Sequence, residues 1–116
     1  MQSPPANVEM AQRSLVEAAL AKGDFATPAT LDHELYDAIG AADTKLRSLG
    51  ASGISALRSL LDHESPHVRM WVASSLLRDG DDSAKKVLED LALTHGIPAL
   101  NAKVVLEQYA ARLHLS

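Results

Sequence analysis

A chain of 116 residues, 47% apolar but only 3% aromatic, holds material for one small core, since single cores are built from roughly 100–200 residues. Its 15 acidic and 11 basic side chains leave a formal charge of −4, which argues against general nucleic-acid binding, because that requires a basic footprint. The lack of cysteine excludes disulfides, thiolate nucleophiles and Cys-ligated zinc, and no stretch approaches the ~20 consecutive apolar residues of a membrane span.

The opening MQSPPANVEM has neither a basic n-region nor an apolar h-region, so no signal peptide is expected. Together with the missing cysteines this sets a cytoplasmic location as the expectation. Ala and Leu dominate, and no segment alternates apolar with polar over a strand length; both point to an all-α chain. After Ser3-Pro4-Pro5, a first helix is predicted over about residues 8–22, stopped by Gly23. Thr27-Pro28 ends a short loop. A long second helix carries Leu31, Leu35, Ile39, Ala42, Leu46 and Leu49 at spacings of three and four, the signature of one apolar face. Gly50 and Gly53 are expected to break it.

A third helix carries Ile54, Leu57, Leu60 and Leu61 and stops at residues 62–65. Pro66 opens a fourth, where its missing N–H is harmless, and this runs to about residue 78. The loop 79–82 starts a fifth helix that ends near Thr94, with His95-Gly96 as its stop. Pro98 opens a sixth, reaching about His114.

The chain also repeats itself at an offset of 34 residues. Ile54, Leu57 and Leu61 map onto Leu88, Leu91 and His95, while Val68, Arg69, Val72, Leu76 and Arg78 map onto Ala102, Lys103, Leu106, Ala110 and Arg112. Each copy reads as helix, turn, Pro-started helix. Self-similarity at this period marks a helical solenoid, whose units bury their apolar faces against neighbours. Three pairs are expected: a divergent cap over residues 8–50, then 51–79 and 80–116.

Ala56-Leu57-Arg58-Ser59-Leu60-Leu61-Asp62, then Ser65-Pro66-His67-Val68-Arg69, then Val72-Ala73 and Leu76, resemble a HEAT repeat. The match covers about a quarter of the chain well and the last third loosely. The length and layout are also similar to a family of small bacterial HEAT-like domains, some grouped with immunity proteins of toxin systems. The resemblance implies a short right-handed α-α superhelix, HEAT/armadillo-like, of about six helices in three antiparallel pairs. It implies an Asp-to-Arg link across the turn, from Asp62 to Arg69; in the second copy Gly96 and Lys103 stand at those places. It implies no catalytic motif and no cofactor, and as partner a bacterial toxin or effector.

Two motif matches are set aside on physical grounds. His63-Glu64-Ser65-Pro66-His67 spells H-E-x-x-H, but zinc proteases need both histidines one turn apart on a continuous helix, and Pro66 disrupts that turn. Asp79, Asp81, Ser83 and Asp90 fall at positions 1, 3, 5 and 12 of a calcium loop. Ala84, however, stands where glycine makes the sharp turn, and Asp90 replaces the bidentate Glu. Capping of the fifth helix by Asp81 or Asp82 is the simpler account. No metal site, nucleophile elbow or phosphate loop is expected. His33, near Glu34 and Asp37, reads as part of a solvated helix face.

The candidate binding surface lies on the fourth and sixth helices. His67, Ser74 and Arg78 occupy one flank of the former, with Trp71 at the edge of its apolar face; Asn101, Val105, Gln108 and Arg112 occupy the equivalent flank of the latter, with Tyr109 nearer the core. Packing of Trp71 between helix pairs and of Tyr109 against the last helix's neighbours is the competing reading. Solenoids bind along the groove formed by such second helices, and Trp, Tyr and Arg are enriched at interface hot spots. The leading expectation is a non-enzymatic protein-binding module. Asp32, Glu34, Asp37 and Asp43 on the second helix would suit a basic partner such as a nuclease. An enzyme or nucleic-acid-processing accessory with a polar groove site is the alternative class. Self-association is the third, as a monomer or weak homodimer; Lys103, Glu107 and His114 on the last helix read as a polar cap that opposes end-to-end stacking.

Overall fold

The computed structural model describes residues 6–23 and 31–115, and none of them lies in a strand. Six helices carry them: α1 (Ala6–Lys22), α2 (Asp32–Ser48), α3 (Ala51–Ser59), α4 (Pro66–Leu77), α5 (Asp82–Ala92) and α6 (Ile97–Leu115). A single 3-10 turn, Leu60–Asp62, follows α3. The chain forms two units, Met1–Leu60 and Leu61–Ser116. Ser3-Pro4-Pro5 and the expected loop end at Thr27-Pro28 lie outside the described residues. Among the described residues no helix is long and apolar enough to cross a membrane.

In the first unit α1 packs on α2 and α3, and α2 packs on α3. The i, i+3, i+4 spacing brings Val8, Ala11, Leu15, Ala18 and Ala19 to the buried face of α1, and Ile39, Ala42 and Leu46 to that of α2. Gln12 ties α1 to α3: its Nε2 donates to the Ala56 carbonyl (2.9 Å) and to Ser59 Oγ (3.1 Å).

Two sequence expectations fail here. Leu31 and Ile54 are each 42% exposed, not core. Ile54 lies 100° around a nine-residue helix whose buried positions are Gly53 and Leu57, and spacing alone cannot say how wide a covered face is. Nor does Gly53 break a helix. Gly50, at φ 76, ends α2, a conformation that glycine adopts without steric cost. Gly53 sits buried in the first turn of α3, where an added Cβ would overlap the Leu46 carbonyl oxygen and lie 2.7 Å from its carbon. Its role is close approach of two backbones.

In the second unit α4 packs on α5 and α6, and α5 on α6. α4 buries Val68, Met70, Val72, Ala73, Ser75, Leu76 and Leu77, positions that run around most of its circumference. A helix apolar on nearly all sides is an interior helix. α5 is one-sided, with Ala84, Leu88 and Leu91 buried and Lys85, Lys86, Glu89 and Asp90 exposed.

The α4–α5 turn is fixed locally. The Gly80 N–H donates to the Leu77 carbonyl (2.8 Å) and the Asp81 N–H to that of Leu76 (3.3 Å), the paired bonds of a glycine-terminated helix end. Asp81 then caps α5, its carboxylate accepting from the Ala84 N–H at 3.1 Å. α5 ends at Ala92, short of Thr94, whose hydroxyl turns back to the Leu91 carbonyl (2.6 Å). α6 begins one residue before Pro98, at Ile97.

Candidate functional site

The near-complete burial of α4 isolates what it shows to solvent. His67, Trp71 and Ser74 are half-buried and Arg78 is exposed, and their spacing of four, three and four draws one line along the helix. The line holds the chain's only tryptophan. Trp71 interacts with a neighbouring group. The Ser74 hydroxyl donates to the Met70 carbonyl (2.7 Å), which leaves its lone pairs to accept from a partner. On α6, Gln108 and Arg112 are exposed and Tyr109 is half-buried. α6 packs against α4, so both sets belong to one unit.

Arg78 is the line's one formal charge, and no carboxylate stands among its members. The acidic face of α2 is different. Asp32 holds Lys22 Nζ at 2.6 Å, Asp37 lies 3.4 Å from His33 Nε2, and Asp43 holds Arg47 Nε at 3.1 Å. Two of its carboxylates, Asp32 and Asp43, are paired with cations inside their own unit, which reduces what the face offers to a basic partner.

Arg69 was legible in the repeat pattern, but not for its contacts. Its Nη1 donates to the His63 carbonyl (2.8 Å) and the Glu64 carbonyl (3.2 Å), so it holds the turn through backbone oxygens and not through the Asp62 carboxylate. Arg69 also borders a cleft of about 420 Å³, lined by Leu61, Val87 and Leu91 with Asp62, Asp90 and Thr94. That size lies in the range of small-molecule pockets. Three of its polar groups already have partners, however: Arg69 on the turn, Asp90 on Lys86 (3.1 Å) and Thr94 on Leu91.

The H-E-x-x-H residues fall on two sides of a helix start. His63 precedes α4, its Nδ1 accepting from the Ser65 N–H at 3.0 Å, while His67 is inside the first turn. Among the described residues no group of three or more His, Asp or Glu is placed to hold a metal ion. No family model, curated protein or solved structure matches this chain. The functional reading therefore rests on the site's own geometry.

Proposed function

We propose that this chain is a non-enzymatic module that binds another protein along the α4 line of His67, Trp71, Ser74 and Arg78, extended on α6 by Gln108, Tyr109 and Arg112. One observation carries the reading: an otherwise interior helix leaves a strip in water, and that strip holds a half-buried Trp and an exposed Arg. These are the residue types that dominate interface energetics when truncated. The HEAT-like resemblance points to a bacterial toxin or effector as the partner, neutralised by occlusion in the cytoplasm. Because the strip carries Arg78 and Arg112 and no carboxylate, the matching face is apolar with an acidic edge; a wholly basic partner would need another surface.

The test is capture of partners from native lysate on the tagged chain and on a Trp71→Ala, Arg78→Glu double variant whose helicity is unchanged by circular dichroism. A stoichiometric partner lost with the variant supports the reading. A partner retained by the variant removes the site from α4, and no partner in any native lysate removes support for a binding module.

A further inference from the structure

α6 is apolar on two faces, and only one is covered. Ala99 and Ala102 are buried, with Leu106 half-buried beside them. On the opposite side Ile97 is 49% exposed, Leu100 61% and Val104 49%, and Ala111 is exposed further along. Positions 97, 100, 104 and 111 fit a 3-4-7 spacing, which draws one stripe along a helix. Lys103, Glu107 and His114 are exposed as expected. They flank this stripe and do not replace it, so the polar cap expected from sequence is only half of that surface.

We infer that this stripe is a weak homodimer interface, in which two copies of α6 pair antiparallel about a two-fold axis near Val104. The flanking residues select a second copy over other occupants. In a two-fold pair residue i meets j while j meets i. With Val104 near its own copy, Lys103 falls opposite the partner's Glu107 on one flank, and Asn101 falls opposite the partner's Gln108 on the other. All four side chains are exposed. One register thus brings two ion pairs and two amide pairs together, and it sets Ile97 against the small Ala111. A parallel pair brings neither match. The stripe buries on the order of a few hundred Å² per copy, well short of the ~800 Å² per partner of a stable complex. The dimer is therefore expected to be weak and reversible, and a Kd on the order of 100 µM is the value to test.

Sedimentation velocity on the full chain, from about 10 µM to about 1 mM, spans that dissociation constant. The mass should rise with concentration toward two copies and stop there. Val104→Asp, which places two carboxylates at the axis, should remain monomeric. Lys103→Glu and Glu107→Lys should each weaken association about tenfold, and an equimolar mixture of the two should recover it to within about threefold, because both ion pairs re-form in the mixed dimer. Helicity by circular dichroism checks that each variant folds. A monomer at every concentration overturns the inference. So does growth beyond two copies, association indifferent to Val104→Asp, or a mixture no stronger than its components.

Discussion

α4 and α6 are matched by the 34-residue offset and are both apolar around most of their circumference, yet they end in different surroundings. Val68 and Ala102, at matched positions, are both buried. One turn on, Val72 is buried and Leu106 only half-buried; at the next, Leu76 is buried and Ala110 exposed. The two helices start alike and diverge along their length. Apolar composition states how much of a helix can be covered, and the neighbours decide how much is. α4 leaves a strip of mixed chemistry in water, and α6 leaves a strip of aliphatic side chains.

The strongest way to break this comparison is to truncate at matched positions. Leu76→Ala should cost about 2–5 kcal/mol of folding stability, from lost transfer energy plus the cavity left behind. Ala110→Ser should change stability by no more than about 0.5 kcal/mol, as an exposed site away from special contacts. Urea unfolding of both variants reads the difference. Equal costs would mean that the offset match describes packing as well as sequence.

How far the fold was legible follows from which features are local. Pro66, Gly80 and Asp81 fix helix ends through bonds to residues within five positions, so the α4–α5 turn could be read from the chain. The α4 line was legible for a similar reason: His67, Trp71, Ser74 and Arg78 follow helical spacing, and all six helix residues proposed as a site lie at exposed or half-buried positions. Other features depend on what packs where. Gly53 looked like a second stop beside Gly50, because close approach to the Leu46 carbonyl leaves no mark in sequence. The exposure of Ile97, Leu100 and Val104 had no signal in the sequence, because nothing local tells which of two apolar faces a neighbour covers.

Glycine sharpens the same point in the first unit. Gly53→Ala should cost about 1–3 kcal/mol, since the new methyl meets a fixed backbone carbonyl. Gly40, inside α2, has nothing within 4 Å of an added Cβ, so Gly40→Ala should stabilise by about 0.5–1 kcal/mol through helix propensity and the unfolded chain's lost freedom. Thermal melts of the two variants should move in opposite directions. A shared direction would remove the close-approach role of Gly53.

The caps give a smaller contrast between the two helices of the turn-bounded pair. Asp81 accepts the Ala84 N–H at the start of α5, and Asp81→Ala should cost about 1 kcal/mol. Ser65 stands at the same position before α4 but makes no side-chain cap bond; its geometry comes from an extended backbone and the proline that follows. Ser65→Ala should therefore fall within about 0.5 kcal/mol of the parent in denaturant unfolding, although serine is among the preferred capping residues.

The smallest effect on folding separates the two exposed strips most cleanly. Leu100→Ala removes an aliphatic side chain that α6 holds 61% in water, so little transfer energy is lost and stability should change by less than about 0.5 kcal/mol. The same substitution truncates the most exposed large side chain of the proposed two-fold stripe and should weaken self-association several-fold, by about 1 kcal/mol. Trp71→Ala should show the reverse pattern. It perturbs a half-buried, engaged side chain and lowers stability, and it leaves the α6 pairing unchanged. Measured together by unfolding and by sedimentation, the two variants should move different quantities. If Leu100→Ala destabilises the monomer as much as Trp71→Ala does, the outer face of α6 is part of the core, and the distinction between a covered α4 and an uncovered α6 fails.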